Sequence, residues 1–256
     1  MKPLTRLVAR GLGRIGQTID APLEKCVHFC AFRYGRQEYN PYETYQIELQ
    51  QGASVVQVRR RFIEFLQHYR PRHFGEALSV RLSRPYALWA YPWHDSDPRR
   101  SEDRGWMRTP DDCPDIMTHF CEDGILSFRI EQEFFWLERA LRTIGDQGYQ
   151  PLKHAPAKVV EFRRSDGERR YLLVDGNHRA GALSALGCSR TIHALCDDVV
   201  REQDAHNWPA VRKNWMSRED ALALFHAYFR GNPSWSRSAT PASILAPPGW
   251  LDMYFR

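Results

Sequence analysis

The sequence lacks any long apolar segment. No uncharged apolar run approaches the roughly 18 residues that a membrane-spanning helix requires. A secretory signal is not expected either, because Arg6, Arg10 and Arg14 interrupt any apolar core in the first twenty residues. These two absences argue against an integral membrane protein and against a secreted one. The sequence therefore predicts a cytoplasmic chain.

Close cysteine pairs are also missing. The six cysteines include no CxxC pair, which structural zinc sites usually contain. Zinc remains an alternative, since His28, His119 and His193 each lie between two cysteines. In a chain of this size without a signal peptide, reduced thiols are the favoured interpretation.

The composition is that of a folded protein. Hydrophobic residues make up 43% of the 256 residues and aromatic residues 12%, whereas a disordered chain would have far fewer aromatic side chains. The formal charge of +5 favours anionic partners such as phosphates, acidic lipid or nucleic acid, without choosing among them.

Basic residues recur every four positions at the N-terminus. If the segment is helical, Lys2, Arg6, Arg10 and Arg14 form one positive stripe, with apolar residues elsewhere on the helix. Residues 1–18 are therefore predicted to lie as an amphipathic helix on an anionic membrane surface, which would place the protein peripherally at the inner membrane. A helix packed on the body, or a frayed terminus, is the alternative, because three glycines weaken the helix.

The rest of the chain alternates between periodic and irregular stretches. The irregular stretch is 84–118, whose His94, Asp95 and Asp97 are candidates for a pocket or a metal site, with a plain surface loop as the alternative. Helical spacing predicts helices over residues 54–70, 127–144, 177–186 and 218–230, and β-rich runs predict strands over 158–163, 170–174 and 191–195, the first two joined by a hairpin turn.

A turn with phosphate-binding chemistry joins the second hairpin strand to the next helix. A helix N-terminus offers backbone N–H groups and a partial positive charge to phosphate oxygens. Glycine allows the backbone to approach a ligand closely, and arginine supplies a forked cationic donor. The alternative is an Asp-Gly turn whose arginine pairs with a local carboxylate. The turn consists of Asp175, Gly176, Asn177, His178 and Arg179.

This turn resembles the D-G-x-H-R signature of ParB/sulfiredoxin-like nucleotide-binding proteins. The likeness includes the alanine-rich helix ending at Leu186-Gly187 and covers residues 120–200. The superfamily contains CTP-dependent chromosome-partition proteins, ATP-dependent sulfiredoxins and free-serine kinases. The resemblance implies an α+β fold: a ParB/sulfiredoxin-like nucleotide-binding core at 119–200, a helical N-terminal extension at 1–118, and a C-terminal helix and surface tail at 201–256.

The resemblance also implies a catalytic set. Asp175 is expected to hold Mg²⁺ or to orient a hydroxyl, and His178 to clamp phosphate. A glutamate near the first core helix acts as base in the resembling free-serine kinases, and Glu131 is favoured over Glu133, with surface charge as the alternative for either. The phosphates of ATP, or of CTP, are expected at Gly176, Asn177, His178, Arg179, Ala180 and Arg129.

Two activities of the superfamily do not fit. A sulfiredoxin needs a reactive cysteine immediately before the His-Arg pair, where Asn177 stands. A partition protein carries a DNA-reading helix-turn-helix after the nucleotide domain, whereas one amphipathic helix and a tail follow here, so DNA is not an expected partner. Residues Gly167-Glu168-Arg169-Arg170 repeat the string with which partition proteins bind CTP phosphates. Here that string leads into a predicted strand, so no helix N-terminus is available behind it.

The flanking regions indicate an acceptor. Tyr69-Arg70-Pro71-Arg72 and Tyr91-Pro92-Trp93 resemble segments of ParB-like proteins associated with bacterial surface-polysaccharide and lipopolysaccharide assembly. This implies a saccharide or lipid-linked glycan acceptor, on which Trp93, Trp106 or Trp136 could stack. The predicted function is an ATP-dependent kinase of a saccharide hydroxyl, and the alternative is a non-catalytic nucleotide-binding adaptor that switches shape.

Overall fold

A computed structural model describes residues 16–35, 40–69, 71, 73–88, 90–95, 127–153 and 155–232. The basic segment 1–15 therefore lies outside the described residues, as do Asp97 and Trp106 and the tail from residue 233 onward. The side chain of Arg129 is likewise outside the description.

The described chain is a mixed α+β fold built on one five-stranded sheet. In spatial order the strands are β1, β5, β3, β4 and β2. The β3–β4 and β1–β5 pairs are antiparallel, whereas the β3–β5 and β2–β4 pairs are parallel. The bounds are β1 Gln17–Pro22, β2 Cys26–Val27, β3 Ala157–Arg163, β4 Arg169–Asp175 and β5 Thr191–Arg201.

The hairpin between β3 and β4 forms where the sequence predicts it. Gly167 lies in the left-handed region with φ +88°, which a glycine adopts without a steric penalty. The carboxylate of Asp166 accepts a hydrogen bond from the Glu168 amide at 3.0 Å and closes the turn. Both strands are largely buried, and β3 is the middle strand of the sheet.

Helices cover the sheet. Those predicted at 54–70, 127–144, 177–186 and 218–230 are confirmed with shifts of a few residues at their ends, and α1 and the short helices α3 and α6 were not predicted. The helices are α1 Pro41–Gln50, α2 Val55–His68, α3 Phe74–Ala77, α4 Ser127–Gln147, α5 Asn177–Leu186, α6 Pro209–Arg212 and α7 Arg218–Arg230, with 3-10 turns at Leu23–Lys25 and Glu202–Asn207. None of these described helices is long and apolar enough to cross a membrane.

Two apolar clusters pack on opposite faces of the sheet. Phe162 and Leu172 belong to the larger cluster, which includes apolar residues of α1, α2, α4 and α7. Val159 and Leu173 belong to the smaller one, which includes Leu183 of α5. Successive residues of a strand point to opposite faces, so adjacent positions of β3 and β4 contribute to different clusters. The sheet is thus buried on both sides.

Two strands come from the region that the resemblance treats as an extension. β1 pairs with β5 along its whole length, from Gln17 opposite Cys196 to Pro22 opposite Thr191, and β2 pairs with β4. The helix predicted over 1–18 is therefore wrong at its C-terminal end, where Gln17 and Thr18 are in a strand. The cause is non-local: residues 191–196 of β5 offer β1 an edge to pair with. The strand β5 itself continues to Arg201, beyond its predicted end at 195.

The described cysteines are free thiols: Cys26, Cys30, Cys188 and Cys196. Burial raises the pKa of the Cys26 and Cys30 thiols well above its usual range, which keeps both protonated and weakly nucleophilic. No group of three or more metal-ligating side chains occurs within the described ranges. The thiols of Cys26 and Cys30 therefore serve as small apolar core groups.

Candidate phosphate site at the start of helix α5

Gly176 makes the turn between β4 and α5 possible. Its φ of +99° lies in the left-handed region, which L side chains rarely adopt. A Cβ built on Gly176 would also lie 2.7 Å from the Cβ of Ala157 on the neighbouring strand. The chain thus passes from strand to helix across a single residue that must be glycine.

The first turn of α5 presents backbone donors. The Ala180 amide donates to the Gly176 carbonyl at 2.9 Å and makes the first intrahelical bond. The amides before it, from Asn177 to Arg179, have no acceptor within the helix by geometry. Ala180 itself is fully buried, so its predicted contact with phosphate would have to come from the backbone alone. The helix start has the geometry of an anion site.

Arg179 is fixed beside this turn. Its guanidinium donates to the carbonyl of Ala155, in the segment that leads into β3. A second guanidinium nitrogen lies 3.9 Å from a carboxylate oxygen of Asp175, whose side chain is 62% exposed. The local ion pair considered as the alternative is therefore long and open to solvent, where such pairs contribute little. Arg179 is thus held by a backbone carbonyl and, at a longer distance, by the Asp175 carboxylate.

His178 pairs with a buried glutamate on another helix. Its Nε2 lies 2.7 Å from an Oε of Glu133 in α4. The His178 side chain is 33% exposed and the Glu133 side chain only 7%, so the pair runs from the surface into the interior. The carboxylate fixes the orientation of the imidazole, an arrangement common at sites of proton transfer.

A third helix packs against the same point. Gln46 in α1 donates to the backbone carbonyls of Leu137 in α4 at 2.8 Å and of His178 in α5 at 3.1 Å. This approach depends on a small residue in α5, because a Cβ at Gly181 would lie 2.2 Å from the Gln46 amide oxygen. The small residues after the turn therefore admit α1.

The Asn177 side chain points inward. Its Oδ1 accepts a hydrogen bond from the hydroxyl of Tyr34 at 2.9 Å, and its Nδ2 donates to the Leu173 carbonyl at 3.4 Å. Tyr34 is fully buried, and burial raises its pKa well above the usual range. Asn177 therefore ties the turn to the interior, and only its backbone amide is placed for a phosphate.

Glu131 lies on a different edge of α4. Two residues apart on a helix, Glu131 and Glu133 point in nearly opposite directions. Glu131 is 50% exposed and lies 3.5 Å from Arg59, which also pairs with Glu138 at 2.9 Å. The structure thus brings His178, Arg179 and Asp175 together with Glu133, and it places Glu131 against α2.

A deeper layer of polar side chains was missed by the sequence analysis. His28 and Tyr42 are buried with ring centroids 4.7 Å apart. Burial, together with the charge of His178, lowers the pKa of His28 well below its usual range. Burial and then the charge of Glu133 raise the pKa of Tyr42. The usable signal was Asn40-Pro41, a helix cap followed by proline, which would have placed Tyr42 in the first turn of α1.

The irregular loop has a structural role in its described part. Trp93 packs against Phe162 and Trp208 at 4.9 and 5.5 Å between ring centroids, and Asp95 forms an ion pair with Lys213. Trp136, in contrast, is 39% exposed. It follows Glu133 by three residues, so the two lie one turn apart along α4, with Trp136 exposed and Glu133 buried.

A magnesium ion at Asp175 would need further ligands from nucleotide phosphates. Asp175 offers one exposed carboxylate at the turn, and the described chain has no larger cluster of metal ligands there. Protein sites for Mg²⁺ often use one or two carboxylates and complete the shell with substrate phosphates and water. Asp175 is therefore suited to a magnesium ion that arrives with the phosphates.

Comparison with known proteins adds no relative: no protein-family model, no curated protein and no solved structure matches the chain. The resemblance of the turn to the ParB/sulfiredoxin signature therefore rests on its residues and flanking elements. The function has to be argued from the site itself.

Proposed function

We propose that the protein is an ATP-dependent phosphotransferase that phosphorylates a saccharide hydroxyl at the start of helix α5. The observation that carries the proposal is the His178–Glu133 pair at 2.7 Å, beside a glycine-opened helix N-terminus. A site that only senses nucleotide needs phosphate contacts but has no use for an oriented imidazole–carboxylate pair. The same phosphates could be those of CTP.

The phosphate contacts come from three kinds of donor. The amides of the first turn and the helix dipole favour an anion. Arg179 adds a charge-assisted donor from the side of β3, and a protonated His178, whose Nε2 is engaged with Glu133, adds its Nδ1–H. Such contacts also stabilise charge on a transferring phosphoryl group, since phosphoryl transfer depends mainly on positioning and electrostatics.

Glu133 is assigned as the base in place of Glu131. It is buried beside the phosphate contacts, whereas Glu131 is paired with Arg59 on another edge of α4. In the proposed step the acceptor oxygen bonds to the γ-phosphorus while the bond to the leaving ADP oxygen breaks. The hydroxyl proton passes to the Glu133 carboxylate and then to solvent. Mg²⁺ beside Asp175 would neutralise phosphate charge.

The saccharide class is supported by Trp136. This partly exposed ring lies one helical turn from Glu133, and aromatic faces of that kind stack on the apolar face of a sugar. Arg139 lies 5.3 Å from the centre of the same ring and adds a donor for hydroxyl groups at that surface. An acceptor seated on Trp136 would reach toward Glu133.

The test is a transfer assay on purified protein with ATP, Mg²⁺ and a panel of monosaccharides and glycan extracts. Mass spectrometry should show an acceptor that gains one phosphate with matching release of ADP. Glu133→Gln should lower the transfer rate by about 10²-fold or more, while its matched control Glu131→Gln should retain the wild-type rate. Tight ATP binding without product across the panel would instead indicate the non-catalytic adaptor.

A further inference from the structure

Two buried hydrogen-bond donors belong to stacked rings on which the charges of the His178–Glu133 pair act, that of His178 on His28 and that of Glu133 on Tyr42. Within the described chain, the Nε2 of His28 and the hydroxyl of Tyr42 have no hydrogen-bond partner, although both atoms are shielded from solvent. An unsatisfied buried polar group costs about 1–3 kcal/mol, and two of them in one place call for an explanation such as a ligand.

The protonation of His28 follows from its surroundings. The Cys30 amide donates to Nδ1 at 3.2 Å, so Nδ1 carries no proton. Burial, with the nearby charge of His178, lowers the pKa of His28 and keeps the ring neutral. The single ring proton therefore lies on Nε2. The unpaired Nε2 of His28 is therefore an N–H donor that requires an oxygen acceptor.

The electrostatic surroundings decide which oxygen fits. Glu133 is buried, and after burial itself its charge raises the pKa of the Tyr42 hydroxyl. A carboxylate or phosphate beside that hydroxyl would be repelled by the same charge. An ammonium group has no lone pair for the His28 donor. An uncharged oxygen satisfies both conditions, and a hydroxyl can also donate to a carboxylate.

We propose that His28 and Tyr42 form an acceptor subsite. Both side chains hydrogen-bond a saccharide hydroxyl, while that hydroxyl, or its neighbour on the sugar ring, faces Glu133. This assignment rests on the proposed function, because it identifies how the phosphorylated substrate is held. The two residues act by positioning: they receive no proton in the transfer step and touch only the acceptor.

The first test compares two tyrosines of helix α1. Tyr42 and Tyr45 are both buried, but the Tyr45 hydroxyl donates to Glu138 at 2.7 Å. Tyr45→Phe should therefore lower the Tm of the free protein by about 2–4 °C. Tyr42→Phe should leave it unchanged or raise it. A Tyr42→Phe variant that melts as low as Tyr45→Phe would show that this hydroxyl is already satisfied, which overturns the subsite.

The second test observes His28 directly. Nitrogen-resolved NMR of the histidine rings should show the Nε2–H form, and its signal should shift with D-glucose, D-mannose or N-acetylglucosamine at millimolar concentration but not with sodium phosphate. In the transfer assay Tyr42→Phe should raise the KM for the sugar about tenfold, as expected for one lost hydrogen bond, with unchanged affinity for ADP.

The outcomes separate the two proposals. A His28 signal that no sugar moves overturns the subsite, even if ATP is bound and hydrolysed. A signal that moves with sugar in a protein that binds no ADP overturns the phosphotransferase and leaves a saccharide-binding site. Phosphate-induced shifts at His28 would assign the inner donors to the nucleotide and overturn the subsite as stated.

Discussion

Replacing Gly176 by alanine tests the backbone geometry on which the site depends. Two penalties are expected. A non-glycine residue in the left-handed region costs about 1–2 kcal/mol, and the new Cβ would lie 2.7 Å from the Ala157 Cβ, which forces β3 or the turn to shift. Overpacking of this kind costs about 1–3 kcal/mol. Alanine also reduces the conformational freedom of the unfolded chain, which offsets about 0.4–1 kcal/mol of this loss of stability.

The expected loss for Gly176→Ala is therefore about 2–4 kcal/mol in the free energy of unfolding. Gly187→Ala is the matched control. It lies at the other end of the same helix with φ +65°, and its Cβ would meet nothing within 4 Å. The control carries the backbone penalty alone, so it should lose about 0.5–1.5 kcal/mol.

Urea unfolding monitored by circular dichroism measures both losses on one scale. The m-value must stay constant for the comparison to hold. Equal losses in the two variants would refute the reasoning, because they would mean that the Ala157 contact is absent and that β4 and α5 meet differently. ADP affinity, measured by calorimetry on the folded variants, should fall only for Gly176→Ala.

Three further outcomes are expected. Arg179→Ala should weaken ADP binding by about 1.5–3 kcal/mol, whereas Arg169→Ala, on the hairpin and paired with Glu161 at 3.5 Å, should bind normally in the same calorimetry; equal affinities would contradict a phosphate role. Asn232→Ala should cost about 2–4 kcal/mol of stability, because its buried amide donates to the carbonyls of Cys30 and Ala77, both at 2.9 Å; a midpoint of urea unfolding near wild type would contradict this. Stability should also fall as the pH drops below about 6.5, because burial lowers the pKa of His28 in the folded state and only the unfolded chain then takes up the proton. His28→Phe should reduce the slope by up to about 1.4 kcal/mol per pH unit, in urea titrations at several pH values.

Local patterns were enough for the elements around the turn. The hairpin, the helix after Gly176 and the capped helix after Ser217 follow from short-range chemistry: turn residues, a glycine stop and a serine that caps the Asp220 amide at 3.0 Å. The strands β1 and β2 depend on distant partners instead. Neither has a strong pattern of its own, and β2 has only two residues. Pairing with β5 and β4 decides their conformation.

The candidate site likewise combines features that local patterns predict with features that depend on distant contacts. Helical periodicity placed Glu131 and Glu133 on α4 but did not say which edge of the helix meets α5. That choice depends on Gln46 from α1, a helix that was not predicted, and on the close approach at Gly181. His28 was considered as a zinc ligand because of its neighbouring cysteines. Its actual environment, stacked on Tyr42, requires the fold to be known.

The number of buried polar side chains near α5 is larger than folding stability alone would explain. Glu43, Glu133 and His28 are buried, and a folding core of this size could be built from apolar residues at lower cost in desolvation. Glu43 and Glu133 each have a specific partner, the Gly35 amide at 2.8 Å and His178 at 2.7 Å, so the charges are held and oriented. Buried charged residues that are held by several specific partners, against the usual rules of core packing, are expected at functional sites. The side chains of His178 and Arg179 are partly exposed, and the Glu133 carboxylate that contacts His178 is buried, an arrangement that agrees with the proposed phosphoryl transfer.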